Sequence, residues 1–320
     1  MSNVQIKAMR DSVIDEIYNK MHGNNRIFFI SADLGAPSLD RLRKDFKDRF
    51  INVGIAEQNL INVSTGLALE GFTVYAYAIA SFITMRAYEQ IRTNLALSSQ
   101  HKEINVNLIG AGSGVSYDVS GPSHHCIEDI TIMRALPNIL FFSPSDWFIA
   151  EKFVDFSINT KGPKYMRLDG KPLPRIHDGA KSFDFKKGFC ELAKGDEVCI
   201  VSTGYMTHKA LKAAKELCGK DRKIGVIDLY ILKPVDEDLL FNTLKRYKCI
   251  ITIEEAFINK GGLDSLISNM ISRRNANIRL ISLGFDDRYI FKFGNRDFLS
   301  ALSNFSEEDI IRVIEENSKR

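Results

Sequence analysis

Several features that would define a class of protein are missing from this sequence. It contains no run approaching the roughly 18 apolar residues that a helix needs to cross a bilayer, so we expect no membrane partner. Its five cysteines occur singly, without a C-x-x-C pair, a pattern typical of reduced thiols in the cytoplasm. Its net charge of +3 is too small to indicate a nucleic acid as a partner.

The residues that are present are typical of a globular α/β protein. A length of 320 residues, with 45% apolar and 26% charged residues, suits two domains of ordinary size. Short β-branched or aromatic runs alternate with amphipathic stretches, as in "IFFI" at 27–30, "INVNLI" at 104–109, "YMRL" at 165–168 and "CIITI" at 249–253. Nearly continuous apolar strands separated by helices predict two domains, each a mainly parallel sheet covered by helices.

A change in composition divides the chain. Between Gly170 and Gly188 the alternation gives way to "GKPLPRIHDGAKSFDFKKG", which is rich in proline, glycine and basic residues. Such a stretch is typical of a linker between domains. We therefore predict a first domain over residues 1–173, a linker over 174–188 and a second domain over 189–320.

One carboxylate is notable for its neighbours. In "INVGIAEQN", residues 51–59, Glu57 lies among small and apolar residues where a strand leads into a helix. Helical spacing places it on one face with Leu60, Ile61, Ser64 and Ala68. A carboxylate that points inward must be protonated, paired or used in chemistry. Two interpretations follow: a functional acid, or a structural glutamate that caps its own helix.

A pair of histidines follows a predicted strand in "SGPSHHCIED", residues 120–129. Gly121 and Pro122 predict a turn that presents His124 and His125 beyond the C-terminal end of the strand, where α/β sheets bind ligands. Adjacent side chains diverge and no further set of ligands has a known spacing, so we predict no metal site. Hydrogen bonding or proton transfer is favoured, with an inert loop as the alternative.

Two further groups of polar residues lie at predicted element ends. Arg10, Ser38 and Arg167 could hold a sugar phosphate through guanidinium and hydroxyl donors, and ordinary solvation is the alternative for each. Glu254 and Glu255 end a predicted strand. We expect one of this pair to cap backbone amides rather than act as an acid or a base.

Taken together, these segments resemble the C-terminal half of a transketolase. The motifs that carry the resemblance are, in chain order, "SADLGAPS", "NVGIAEQN", "ASFITMRAYEQIR", "GPSHH", "RALPNILFFSPSD", "YMRLDG" and "EEAFINKGGL". The resemblance covers essentially the whole chain, as a pyrimidine-binding domain followed by a transketolase C-terminal domain. It is strongest to split transketolases, whose two halves are separate polypeptides. The related 1-deoxyxylulose-5-phosphate synthase shares "GIAEQ" and the double histidine.

The resemblance implies thiamine diphosphate as the cofactor and assigns roles to the candidate residues. The family glutamate that matches Glu57 contacts N1′ of the aminopyrimidine and shares a proton with it, which favours the imino tautomer. His124 matches a histidine over the reacting carbons of the substrate, a donor to the developing alkoxide. His125 is its neighbour in the synthase pattern, and the three phosphate candidates match residues that hold a sugar phosphate.

The sequence also departs from the family. Ile79 lies where many transketolases stack an aromatic ring on the aminopyrimidine, with Phe82 and Tyr77 nearby as substitutes. Ser120 takes the place of an aspartate that meets a substrate hydroxyl, unless Asp118 replaces it. These departures predict a sugar other than the usual pentose and hexose phosphates.

The largest departure is a missing motif. No G-D-G followed by an asparagine-bearing stretch occurs, so the diphosphate and Mg²⁺ must be held by a separate N-terminal subunit. We predict one subunit of a transferase that moves a two-carbon ketol unit between sugar phosphates or related sugars, as a homodimer within a heterotetramer.

Two alternatives remain. One is the β subunit of a 2-oxo acid dehydrogenase decarboxylase, against which "GPSHH" and "YMRLDG" argue. The other is a non-catalytic scaffold that binds a partner, against which the retention of Glu57 together with His124 argues.

Overall fold

The computed structural model describes residues 5–179, 183–219 and 222–318. The strands are β1 (Ile6–Ala8), β2 (Ile27–Ser31), β3 (Phe50–Asn52), β4 (Thr73–Ile79), β5 (Asn105–Ala111), β6 (Leu140–Phe142), β7 (Lys164–Leu168), β8 (Pro172–Pro174), β9 (Phe189–Ala193), β10 (Val198–Ser202), β11 (Gly225–Leu229), β12 (Ile231–Lys233), β13 (Cys249–Phe257) and β14 (Arg279–Phe285).

The helices alternate with these strands along most of the chain. They are α1 (Met9–Gly23), α2 (Leu39–Asp45), α3 (Glu57–Leu69), α4 (Ala80–Arg86), α5 (Tyr88–Gln90), α6 (Asp129–Ala135), α7 (Trp147–Asn159), α8 (Met206–Cys218), α9 (Glu237–Leu244), α10 (Leu263–Arg273), α11 (Arg296–Ala301) and α12 (Glu307–Asn317).

The larger sheet has seven strands in the order β12-β6-β7-β5-β4-β2-β3. Its strands run parallel except β12, which pairs with β6 in the opposite direction. Helices α3, α4 and α6 pack on one face, and α1, α2 and α7 pack on the other. The apolar run in β5 is buried along its whole length because helices cover both faces.

The smaller sheet has five strands in the order β14-β13-β10-β11-β9, parallel except for β9 at its edge. Helices α8 and α12 pack on one face, and α9 and α10 pack on the other. The predicted fold class, two α/β domains with mainly parallel sheets, is therefore confirmed.

The lengths of the helices and the surroundings of the cysteines are also defined by the structure. Among the helices of the described segments, none combines the length and the hydropathy that crossing a bilayer requires. The cysteines are free thiols. Cys126 and Cys199 are fully enclosed, and burial raises the pKa of both thiols.

Candidate active site

The candidate residues gather where parallel strands end. Strands β3, β4, β5 and β7 run in the same direction through the larger sheet, so their carboxyl ends meet at one edge. The segments that follow β3 and β4 carry Glu57 and Phe82, and β5 leads to residues 120–125, which we call the histidine loop. A crevice at this edge is where open α/β sheets bind ligands.

Glu57 is the first residue of α3, and its predicted inward face is confirmed. The buried residues of this helix are Glu57, Leu60, Ile61, Ser64, Thr65 and Ala68. Gly54, at a φ of +75°, turns the chain between β3 and the helix, a conformation that glycine adopts without strain. Glu57 is 2% exposed, and its carboxylate accepts a hydrogen bond from Nη1 of Arg86 at 2.7 Å.

A continuous set of contacts joins Glu57 to the histidine loop. The guanidinium carbon of Arg86 lies 4.7 Å from the centre of the Phe82 ring. That ring in turn lies 5.2 Å from the imidazole of His124, at an interplanar angle of 60°. Nδ1 of His124 is 3.1 Å from the hydroxyl of Ser123. Three residues selected from sequence, Glu57, Phe82 and His124, therefore form one cluster together with Arg86, which we call the edge cluster.

A cleft of about 310 Å³ opens beside the edge cluster. It is lined by Ser81, Phe82, Met85, Arg86, Pro122, Ser123, His125, Glu128 and Tyr289. The cleft combines aromatic, charged and hydroxyl groups from both halves of the chain. Ligand sites in enzymes commonly have this mixed lining.

His125 contributes an unusual imidazole to this cleft. It is 3% exposed, and neither ring nitrogen makes a hydrogen bond of normal geometry within the described residues. Loss of solvation lowers its pKa, although the backbone of Asp118 and the charge of Glu255 favour the protonated form. The ring is therefore disposed to be neutral, with one nitrogen able to accept a hydrogen bond and the other able to donate one.

Two more residues at the cleft were not selected from sequence. Burial raises the pKa of the Glu128 carboxyl. The hydroxyl of Tyr289 lies beside this carboxylate, whose charge raises the pKa of Tyr289. No local pattern indicated the pair because the two residues come from different halves of the chain.

Arg10 and Tyr77 lie on the opposite face of the larger sheet. Tyr77 is fully buried with residues of α1, whereas Leu60 and Ile61 of α3 belong to the core on the other face. Burial raises the pKa of the Tyr77 hydroxyl, and the neighbouring Arg10 opposes that shift. The sheet separates Tyr77 from Glu57, and contact of Tyr77 with a cofactor stays a prediction.

Arg167 is enclosed by protein groups. Its side chain is 3% exposed, and its Nε donates to Oδ2 of Asp129 at 2.8 Å. Its Nη2 donates to the backbone carbonyl of Glu255 at 3.0 Å. The arginine thus links the two domains, and binding of a phosphate by Arg167 stays a prediction that would require some of these bonds to exchange.

The remaining candidates lie around the same edge. Ile79 is half-buried at the end of β4, and Ser38 is buried next to the start of α2. Ser120 is exposed on the histidine loop. Asp118 is buried and accepts a hydrogen bond from the backbone N–H of Arg296 at 3.1 Å, so its carboxylate is engaged at the contact between domains.

The two adjacent glutamates in β13 have different environments. Glu254 accepts hydrogen bonds from the amides of Leu263 at 2.8 Å and Asp264 at 2.9 Å, at the start of α10. The expected capping role is therefore confirmed. Burial raises the pKa of Glu254 to about 7. Glu255 instead binds Arg296, with Oε1 2.6 Å from its Nε.

The fold and the edge cluster define a class of two-domain α/β proteins with a buried acid and an aromatic ring at the carboxyl edge of a parallel sheet. Residues 6–174 match the family model "Transketolase, pyrimidine binding domain", and residues 190–310 match "Transketolase, C-terminal domain". The chain belongs to the transketolase family, as the sequence motifs predicted.

Two relatives are described as subunits, and one solved structure is described as a split gene transketolase. One of the subunits of the apulose-4-phosphate transketolase of Actinobacillus succinogenes is 35% identical over 269 residues, covering 84% of each chain. The 6-deoxy-6-sulfo-D-fructose transketolase subunit of a Clostridium strain is 28% identical over 98% of this chain and 95% of the relative. A solved structure described as a split gene transketolase, inactive β4 tetramer, has a TM-score of 0.85 and 30% identity, and covers 98% of this chain and 99% of its own.

The edge cluster fits the aminopyrimidine ring of thiamine diphosphate. A buried carboxylate and an aromatic face lie close enough together for one planar group, the guanidinium of Arg86, to contact both. Within the described residues, no group of three or more His, Cys, Asp or Glu side chains is arranged to hold a metal ion. The buried carboxylate and the aromatic face are groups that suit the aminopyrimidine end of the cofactor.

Arg86 is the residue of this cluster that sequence reasoning missed. It lies four positions after Phe82 in α4, and side chains at that spacing are neighbours on a helix. This signal could have placed Arg86 beside the ring. Its pairing with Glu57, 29 positions away, has no local signal.

Proposed function

We propose that this chain is the pyrimidine-binding subunit of a cytoplasmic, split, thiamine diphosphate-dependent transketolase, which moves a two-carbon ketol unit between sugar substrates. The observation that carries the proposal is the edge cluster, in which a buried glutamate, an aromatic ring and a histidine lie together at the carboxyl edge of a parallel sheet. Residues 1–173 and 189–320, joined by 174–188, are the proposed domains.

The proposed partner is an N-terminal subunit that carries the G-D-G motif and holds the diphosphate and Mg²⁺. Two observations support this division. The 320 residues contain no such motif, and relatives that match nearly end to end are described as subunits or as products of a split gene. We propose a homodimer of this chain within a heterotetramer.

The cofactor, when bound, supplies the carbon nucleophile for ketol transfer. Glu57 would hold the proton at N1′ of the aminopyrimidine, and its enclosure excludes water from that proton. Phe82 would pack against the ring, with Ile79 beside it as an apolar contact. His124, held by Ser123, would donate a hydrogen bond to the oxygen that gains charge on the substrate.

The proposed substrate class is a sugar phosphate or a related anionic sugar. Arg10, Ser38 and Arg167 would bind the anionic end, and His125 would contact a hydroxyl group across the cleft. Ser120 in place of an acid weakens the demand for one particular hydroxyl configuration. Two relatives are named for apulose 4-phosphate and 6-deoxy-6-sulfofructose, which supports a substrate outside the common pentose phosphates.

The test is reconstitution with the N-terminal subunit in thiamine diphosphate and Mg²⁺. Ketol transfer from a panel of ketose phosphates and sulfonates to aldose acceptors should appear only in the mixture. Decarboxylation of 2-oxo acids by the same mixture, without ketol transfer, would instead establish the dehydrogenase alternative. Partner binding without either reaction would establish the scaffold.

A further inference from the structure

Arg86 covers both features of this chain that fit an aminopyrimidine. Its Nη1 donates to Oε2 of Glu57 at 2.7 Å, and its guanidinium carbon lies 4.7 Å from the centre of the Phe82 ring. The carboxylate would otherwise be free to meet a ring nitrogen, and the aromatic face would be free to pack on a second ring. One side chain therefore occupies both contacts at once.

The guanidinium resembles the ring that it would displace. It is planar, it presents N–H donors in a fixed fork, and it packs on aromatic faces. An aminopyrimidine is also planar and also pairs its nitrogens with a carboxylate. Because both groups would use the carboxylate of Glu57 and the ring of Phe82, the guanidinium in this position would compete with the aminopyrimidine for these contacts.

Arg86 can leave this position easily. It is the last residue of α4, and its side chain is 46% exposed while that of Glu57 is 3% exposed. Water can solvate the half-exposed guanidinium when it leaves, and the aminopyrimidine would replace it as the partner of the buried carboxylate. Exchange of the guanidinium for the cofactor ring therefore costs little, whereas the open arrangement without cofactor leaves a buried charge unpaired.

We propose that Arg86 takes the place of the aminopyrimidine in the unloaded subunit, must swing away for the cofactor to bind, and so sets the affinity of the assembled enzyme for thiamine diphosphate. The inference rests on the proposed function. When only a fraction of the protein is competent to bind, the apparent affinity falls by that fraction. Removing the guanidinium should therefore strengthen cofactor binding, whereas losing a direct ligand of the cofactor would weaken it.

The experiment measures the dissociation constant of thiamine diphosphate by titration calorimetry on the complex with the N-terminal subunit and Mg²⁺. Arg86→Met keeps most of the aliphatic side chain without the charge or the fork, and we expect a dissociation constant about three- to ten-fold lower. Arg86→Lys keeps the charge without the planar fork and should lie between the two. In the isolated chain, Arg86→Met should lower the melting temperature by about 2–4 °C, because Glu57 loses its partner.

Arg92→Met is the matched control. Arg92 is also exposed and lies in the π-helical turn that follows α5, so this change should leave the dissociation constant unaltered. Glu57→Gln should weaken cofactor binding. If Glu57→Gln weakens binding but the dissociation constant of Arg86→Met is unchanged or higher than that of the native complex, the role proposed for Arg86 is wrong. The proposed function would still stand in that case. A native complex that binds no thiamine diphosphate would overturn both.

Discussion

Arg296 and Asp169, which come from opposite halves of the chain, form an ion pair of 2.7 Å in which both side chains are almost wholly buried. The same guanidinium binds Glu255 through two parallel contacts and lies over the ring of Tyr205 at 3.5 Å from its centre. The single guanidinium of Arg296 thus forms ion pairs with two buried carboxylates at the contact between the domains. The pair lies close to the histidine loop, since the backbone N–H of Arg296 also bonds Asp118.

Replacing this arginine should destabilise the chain strongly. Arg296→Met leaves two carboxylates buried without a cation, and we expect a loss of about 3–5 kcal/mol in the free energy of unfolding. The free energy of unfolding is measured by urea denaturation, with circular dichroism as the signal. Arg312→Met is the control: Arg312 is 55% exposed in its pair with Asp309, so its replacement should change the free energy of unfolding far less. Equal effects of the two changes would contradict the role given to Arg296.

The isolated chain should form a homodimer and show no ketol transfer, even in excess thiamine diphosphate and Mg²⁺. The physical reason is that the G-D-G motif, to which we assign the diphosphate and Mg²⁺ contacts, is missing from the 320 residues. Analytical ultracentrifugation and a coupled aldose-acceptor assay test the two halves of this prediction. The split relative is described as an inactive β4 tetramer, so a tetramer is the main alternative for assembly. Robust turnover by the chain alone would refute the proposed division of the site.

Glu57→Gln should separate folding from chemistry. Glutamine keeps the size of the side chain but cannot share a proton with N1′, so activity of the reconstituted complex should fall by roughly 10²-fold or more. The melting temperature should change little. Glu70→Gln, at the exposed C-terminal end of the same helix, is the control and should keep full activity. Near-normal turnover of Glu57→Gln would mean that Glu57 is a structural acid.

Glu254 should make stability depend on pH. Its pKa is raised by burial from 4.5 to about 7, so the folded chain binds this proton more tightly than the unfolded chain does. Its stabilising contribution is complete below about pH 4.5 and is lost as the pH rises through about 7, on the order of 3 kcal/mol in total.

The check on Glu254 compares urea denaturation of the native chain and Glu254→Gln between about pH 4.5 and 7.5. Other titrating groups are common to both proteins, so their contributions cancel in the difference. The advantage of the native chain over the variant should shrink steadily with rising pH. A difference that is constant with pH would show that Glu254 ionises alike in the folded and unfolded states.

Ser120 should make the enzyme less strict about the hydroxyl group beside the donor carbonyl. A carboxylate at this position would be left unpaired by analogues that cannot donate a hydrogen bond, whereas serine imposes a smaller penalty. The measurement is kcat/KM for xylulose 5-phosphate against deoxy and epimeric ketoses, in the native complex and in Ser120→Asp. We expect Ser120→Asp to sharpen the discrimination. If the kcat/KM of the native complex for xylulose 5-phosphate already exceeds that for the analogues by ~10³ or more, about 4 kcal/mol, the prediction is contradicted.

Local pattern was sufficient for the fold and for part of the site. The apolar runs predicted the parallel strands because both faces of each sheet are covered, and helical spacing predicted that Glu57 points inward. The pairing of Glu57 with Arg86 and of Arg167 with Asp129 could not be predicted, because each joins residues brought together only by packing. The resemblance supplied chemical roles, but it carried no information on which side chains are already engaged by other parts of the chain.

Strand β12 has a consequence for how the chain is made. It lies in the second half of the sequence, beyond the predicted linker, yet it completes the edge of the larger sheet by pairing with β6. More than two thirds of the chain must therefore be synthesised before the larger sheet has all of its strands. Until then the edge of β6 presents unpaired backbone groups, the feature that promotes pairing between nascent chains. The two sheets are separate in space, but their folding during synthesis is coupled.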